Sequence, residues 1–110
     1  MARAPAIHDA FNAVAEPRRR RVLETLGARE LAVNDIVKLL GWPQPMISKH
    51  LGVLKKVGLV SERRVGRQRV YRVNAEQLKS IHDWVTTFAR LWDERLDRLD
   101  DYLREREGKE

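Results

Sequence analysis

The sequence predicts a mainly α-helical domain with a β-hairpin wing, on three observations. Two short helical patterns lie between Asn34 and Gly58, an arginine-loaded hairpin follows, and an amphipathic helical pattern then runs almost to the end of the chain. The 110 residues make one domain, 1–110, able to bury about two-thirds of its unfolded surface in a single core. Within it the pattern assigns a helix-turn-helix to 34–58, a wing to 59–73 and a C-terminal helix to 75–106.

Ile7, Phe11 and Val14 give a short amphipathic first helix that stops before Pro17, a residue suited to the first turn of the next. That second helix turns Val22, Leu23 and Leu26 inward and ends at Gly27. Its four arginines, Arg18 to Arg21, spread around the helix and read equally as a solvated cationic turn or as phosphate contacts.

The first helix of the motif runs through Asp35 to Leu40, with Asn34 as its N-cap and Gly41 as its stop. Trp42 and Pro43 form the turn, and a second helix follows from about Gln44 to Val57, closed by Gly58. Ile47, Leu51 and Leu54 recur at i, i+4 and i+7, so one face is buried. Pro45, Ser48, Lys49, Gly52 and Lys56 share the opposite stripe, and Gln44 stands at the N-terminal end, where a recognition helix meets base edges. An ordinary surface helix would show the same pattern; the next segment decides between them. Leu59 to Val65 and Arg69 to Val73 read as strands joined around Gly66, Arg67 and Gln68, with Gly66 free to take positive φ. Arg63, Arg64, Arg67, Arg69 and Arg72 fall in this hairpin against a single acid, Glu62. Such a concentration of like charge works against the fold unless a polyanion neutralises it.

Asn74 and Gln77 resemble a capping box at the start of one last helix, which would continue to about Arg106 and extend about 48 Å. Val85, Trp92 and Leu99 repeat every seven residues; Ala89, Leu96 and Leu103 fall four later, and Phe88 and Tyr102 widen the stripe. A monomer would leave the far end of that stripe in water, so it is read as a dimer surface. Charge divides the chain the same way. Residues 1–74 hold 15 Lys/Arg and 6 Asp/Glu, net +9, whereas residues 75–110 hold 7 and 10, net −3, which together give the overall +6.

The runs Phe11–Arg20, Gln44–Leu51 and Gly66–Tyr71, and the pattern Phe-x-x-x-Trp-Asp-Glu-Arg-Leu-Asp-Arg-Leu-x-x-Tyr-Leu over Phe88–Leu103, resemble the ArsR/SmtB family of bacterial winged-helix repressors. The last resembles the closing helix of a metal-independent branch, the SdpR-type autorepressors. The resemblance covers roughly Ile7 to Leu103. It implies a winged helix-turn-helix that forms a homodimer through its first and last helices, with Ile7, Phe11, Val85, Phe88, Trp92, Leu96, Leu99 and Leu103 at the interface. It also implies double-stranded DNA as partner, with Gln44, Ser48, Lys49 and His50 at the major groove and Arg67 and Arg69 of the wing near phosphate or the minor groove. His50 is read as well as a packing residue. Two departures stand out: Pro43 replaces a good N-cap, and Gly52 occupies a position where relatives carry larger or basic residues.

Metal-sensing members carry Glu-Leu-Cys-Val-Cys-Asp-Leu at the start of the first motif helix; this chain reads Glu30-Leu31-Ala32-Val33-Asn34-Asp35-Ile36. With no cysteine at all, a thiolate metal site, a disulfide and a cysteine redox switch are excluded. The family's other site, on the last helix, needs an Asp-x-His, but Asp83 is followed two residues on by Val85. An interfacial nitrogen and oxygen site built from His8, Asp9, His82 and Asp83 is the remaining metal reading, weighed against ordinary interface contacts. The expectation is therefore no metal and no cofactor.

No apolar run approaches the ~18 residues that span a bilayer and no signal-peptide core is evident, so the expectation is a cytoplasmic protein without a membrane partner. The chain has no Gly-rich phosphate loop and no His paired with acids at a catalytic spacing, which argues against an enzyme. A protein-interaction module built on the long acidic helix is the competing reading. The sequence-based conclusion is a homodimeric DNA-binding repressor acting on an inverted repeat near its own gene, with any effector unspecified.

Overall fold

A computed structural model describes residues 7–107, with side chains from Asp9 onward. The chain order is α1 (Ile7–Ala15), α2 (Pro17–Leu26), β1 (Leu31–Ala32), α3 (Val33–Leu40), α4 (Gln44–Lys56), β2 (Val60–Val65), β3 (Gln68–Val73), α5 (Ala75–Thr86) and α6 (Ala89–Glu107). Helices α1 to α4 enclose a core whose fully buried members include Val22, Leu26, Ile36, Ile47, Leu51 and Leu54, roofed by Leu59, Val60 and Tyr71 from the base of the sheet. The face of α4 marked by Ile47, Leu51 and Leu54 is thus the buried one, as its spacing required.

The expected hairpin is two strands of a three-stranded antiparallel sheet of order β1-β3-β2. The third strand, Leu31–Ala32, pairs with Tyr71 and Val70 and went unpredicted because two residues carry no readable alternation. Val65 pairs with Gln68, leaving Gly66 and Arg67 as a two-residue turn, and Gly66 has φ 62°. This positive φ at the first central position is the one where glycine is favoured in tight hairpins.

Two helix starts differ in their chemistry from the sequence-based reading, and a third agrees with it. The N-cap of α3 is Ala32, not Asn34, and Asn34 lies within the helix; Asp35 reaches back so that its Oδ2 accepts from the Ala32 amide at 3.3 Å. Asn74 precedes α5 but makes no side-chain cap bond. Its amide instead ties the base of the wing: Ser61 Oγ donates to Asn74 Oδ1 at 2.7 Å, and Asn74 Nδ2 donates to the Gly58 carbonyl at 3.0 Å. At α2, Pro17 does occupy the first turn, and Glu16 is the cap, its Oε2 accepting from the amides of Arg18 and Arg19 at 3.1 and 3.3 Å.

The predicted single C-terminal helix is broken. After α5 the hydroxyls of Thr86 and Thr87 donate to the carbonyls of Asp83 and Trp84, both at 2.7 Å, and the amides of Thr87 and Phe88 bond three residues back to Trp84 and Val85. Adjacent threonines back-bonding in this way tighten the last turn and end the regular i, i+4 ladder, which resumes at Trp92 to Phe88. The 19 residues of α6 then extend about 28 Å, and the molecule measures 63 × 35 × 20 Å.

Candidate nucleic-acid interface

The helix α4 and the hairpin are locked together by three polar side chains. Lys55 Nζ donates to Glu62 Oε1 at 2.7 Å, and Tyr71 stands directly opposite Glu62 across the β2–β3 ladder. The Lys55 bond, followed by that of Tyr71, holds the Glu62 carboxyl below its ordinary range. Burial, followed by the bond to Glu62, pushes the Tyr71 hydroxyl up to about 12. The Lys55–Glu62 pair links the end of α4 to the first strand of the hairpin.

Three of the six predicted contact residues, Gln44, Arg67 and Arg69, line one exposed hollow. Gln44, Ser48 and Lys49 are exposed along α4, and Arg67 and Arg69 are exposed at the wing tip. Gln44, Arg67, Gln68 and Arg69 line a hollow of about 200 Å³ together with Ala32, Val33 and Asn34. Asn34, displaced from its expected capping role, and Gln68 thereby join the polar groups that line the notch between helix and wing. Ser48 and Lys49 do not line this hollow but continue the α4 face beyond it.

His50 departs from the expected set. It is one of the buried residues, only 9% exposed, and turns toward the core side of α4 rather than the solvent stripe. Its Nδ1 is buried with no hydrogen-bond partner among the described residues. Desolvation lowers its pKa; the nearby Glu16 carboxylate opposes this, while Arg19, Arg18 and Lys49 reinforce it. A neutral, inward imidazole packs the recognition helix against the α1–α2 corner and is not placed to read bases.

The wing arginines are not equivalent. Arg63 Nε donates to Glu30 Oε2 at 2.8 Å, so its charge is already partnered. Arg64 and Arg69 stand directly opposite each other across the β2–β3 ladder, and both are exposed. Like charges in that position repel, and a polyanion lying against the wing would turn the repulsion into two phosphate contacts. The arginine run of α2 resolves into a third role that neither sequence-based alternative included. Arg19 Nε donates to the Ala13 carbonyl at 2.7 Å and Arg20 Nη1 to the Val14 carbonyl at 2.8 Å, so these two satisfy the open carbonyl end of α1.

The predicted apolar stripe also divides. Phe11 packs edge-on against Trp84, with ring centroids 5.4 Å apart, and Trp84 packs against Phe88 at 5.3 Å. Trp84 was absent from the expected interface because it lies off the seven-residue repeat. Val85 is half-buried, whereas Phe88, Trp92, Leu96, Leu99 and Leu103 are exposed. The side chains of Ile7 and His8 lie outside the described residues. Ala32, at one of the former thiolate positions, is buried and has no donor atom, and Asn34 at the other offers only an amide. That pair does not fit a soft metal ion. Among the described residues no group of three or more His, Cys, Asp or Glu side chains is arranged to hold a metal, and no described helix is long and apolar enough to cross a membrane.

A helix-turn-helix joined to a basic hairpin by a fixed polar anchor defines a winged-helix, DNA-binding class of protein. Residues 16–62 match the arsR family of bacterial regulatory proteins. The chain is 35% identical over 83 residues to the HTH-type transcriptional regulator Rv2034 of Mycobacterium tuberculosis, covering 76% of this chain and 75% of the relative. It is 29% identical over 82 residues to the transcriptional repressor SdpR of Bacillus subtilis, covering 74% of this chain and 91% of that protein. The homodimeric winged helix-turn-helix DNA-binding domain Mb0332 from Mycobacterium bovis superposes with a TM-score of 0.63 at 31% identity, over 76% of this chain and 78% of that one. The chain belongs to the ArsR family of transcriptional regulators.

Proposed function

We propose that this regulator is a cytoplasmic, homodimeric repressor that binds an inverted-repeat operator near its own gene and does not use the family's usual metal sites. The observation that carries the reading is the notch between α4 and the wing, where Gln44 meets Arg67 and Arg69 beside the opposed Arg64–Arg69 pair. Gln44 in the notch, with Ser48 and Lys49 farther along the α4 face, contacts base edges, and Arg64, Arg67 and Arg69 hold the flanking backbone. Repression follows from occlusion of the promoter, a role in keeping with the name of the Bacillus relative. Dimerisation is supported by the exposed apolar residues of α6 and by the homodimeric Mycobacterium bovis domain. Indifference to soft metals is supported by Ala32 and Asn34 at the ligand positions.

Selection of bound duplexes from a random pool tests the reading. The expected product is an inverted repeat with half-sites about one helical turn, roughly 34 Å, apart, recovered equally with and without added zinc or cadmium. Recovery of no preferred sequence would leave α6 as the functional surface and favour a protein-interaction module. Metal-dependent release of the selected DNA would reinstate a sensor role.

A further inference from the structure

The hollow between α4 and the wing has a third side. Besides Gln44 at the start of α4 and Arg67 to Arg69 of the wing, it is lined by the junction of β1 and α3, Ala32 to Asn34. Its polar side chains are two guanidiniums and three carboxamides, and no carboxylate among the described residues lines it. The amides of Asn34, Gln44 and Gln68 are exposed and make no hydrogen bond among the described residues. By contrast, the Asn74 amide at the base of the wing accepts from Ser61 and donates to Gly58.

Of the three, Asn34 is the one that no role in the fold explains. It is not the N-cap of α3, where Asp35 instead reaches back to the Ala32 amide at 3.3 Å. Inside a helix, asparagine is less favourable than alanine. A side chain that neither caps nor packs at this position is accounted for by what it faces.

We propose that Asn34, together with Gln68, grips the sugar-phosphate strand that separates the major groove entered by α4 from the minor groove beside the wing. The grip rests on the DNA-binding reading and adds to it a backbone contact from the first helix of the motif. Neighbouring grooves of a duplex are divided by one sugar-phosphate strand. A helix in the major groove and a wing at the adjacent minor groove must therefore straddle that strand. The hollow between α4 and the wing is where it passes, and the start of α3 closes that hollow.

The lining suits such a strand. Phosphodiester oxygens only accept hydrogen bonds, and each carboxamide nitrogen offers two donors. Arg67 and Arg69 supply the opposite charge, and the half-buried Val33 offers an apolar contact to a deoxyribose. At about 200 Å³ the hollow is smaller than a typical small-molecule site, which spans about 300 to 1,000 Å³. That size favours a strand running through it over an effector enclosed by it. The amides differ from the arginines in one measurable respect: they are neutral. A neutral donor holds a phosphate without displacing a counterion, so it adds affinity but no salt dependence.

Equilibrium binding of the full chain to the duplex selected from the random pool and to an unrelated duplex, each over a range of salt, tests the grip. Asn34→Ala is expected to lower affinity about tenfold on both duplexes, the loss of one hydrogen bond to a charged group, with the salt slope unchanged. Arg67→Ala should instead reduce that slope by about one unit. Because alanine is the better helix residue, the thermal midpoint of Asn34→Ala should hold or rise, which separates a lost contact from a lost fold. Asn34→Asp keeps the size but turns a negative charge toward the strand, and should bind more weakly still. Replacing the phosphates of one half-site singly by neutral methylphosphonates locates the contact. One position, between the base pairs read by α4 and those beside the wing, should weaken the wild-type complex and add little to the defect of Asn34→Ala. Undiminished affinity of Asn34→Ala beside a weakened Arg67→Ala overturns the grip and leaves the DNA-binding reading standing. A loss confined to the selected duplex also overturns it, since Asn34 would then read a base. Failure of the wild-type chain to bind any duplex overturns both.

Discussion

The winged-helix body and α6 use apolar residues in opposite ways. In the body, Ile36, Ile47, Leu51, Leu54 and Leu59 are fully buried within one chain, and the surface left over is basic. In α6 no residue is buried, Trp92, Leu96, Leu99, Tyr102 and Leu103 are about half exposed, and acidic side chains outnumber basic ones. The body is therefore stabilised by its own packing, whereas α6 depends on what covers it. One region presents a basic surface; the other leaves an apolar stripe uncovered within its own chain.

The largest expected effects break the contrast directly. Leu54→Ala removes a fully buried side chain from the body and should lower stability by about 2 to 5 kcal/mol, read as an earlier unfolding midpoint at any protein concentration. Trp92→Glu or Leu99→Glu places a charge on the exposed stripe, costing several kcal/mol only where that stripe is covered. Sedimentation should then show monomers, circular dichroism should show a folded body, and operator binding should drop sharply. A dimer of unchanged affinity in both glutamate variants would show that the interface uses another face of the helix.

Within the basic surface, effects of about 1 to 3 kcal/mol are expected where a base contact is lost. Gln44→Ala or Ser48→Ala should therefore erode preference for the operator over other duplexes. Arg67→Ala should instead weaken all duplexes alike and reduce the salt dependence by about one unit of slope, since each neutralised phosphate contributes nearly that much. Equal loss on every sequence from the Gln44 variant would move base reading elsewhere.

His50 ties the body's stability to pH. Its pKa in the fold lies below its ordinary value of 6.5 because of burial. The unfolded chain thus takes up a proton near that pH which the folded chain accepts only in more acidic solution. Stability is fully present above about 6.5 and is lost as pH falls below it. Thermal midpoints measured from pH 7.5 down to about 5.5 should decline for this reason, and His50→Gln should flatten the decline. An identical slope in that variant would assign the loss to other groups.

The same contrast governs what the sequence disclosed. Gly41 with φ 69°, Gly58 with φ 83° and Gly66 with φ 62° end or turn elements through their own backbone freedom, so the motif was legible from single positions. The inward spacing of Ile47, Leu51 and Leu54 was equally local. Asn74 was misread because its partners, Ser61 and Gly58, lie 13 and 16 residues away, and a cap looks the same in sequence. Arg19 and Arg20 gave no sign that they would close the end of α1, since that depends on the angle between two helices. His50 followed the exposed neighbours Ser48 and Lys49 in sequence while helical rotation carried it toward the core. The break at Thr86 and Thr87 lay in plain view, but the apolar repeat continued across it and masked the interruption.

The smallest expected effect on stability concerns Gly52, on the exposed face of α4. A Cβ built there meets nothing within 4 Å, and the residue has no positive φ. Gly52→Ala should therefore stabilise the folded protein by up to about 1 kcal/mol through helix propensity alone. Ser48 and Lys49, which precede it on the same exposed stripe, are proposed to enter the groove, so an added methyl group meets DNA if the backbone of α4 approaches a sugar-phosphate strand closely. The two readouts then move in opposite directions: the thermal midpoint rises and operator affinity falls. Affinity unchanged beside a raised midpoint would mean that α4 docks through its N-terminal end at Gln44 and leaves Gly52 clear of the duplex. That outcome would confine base reading to the notch between helix and wing.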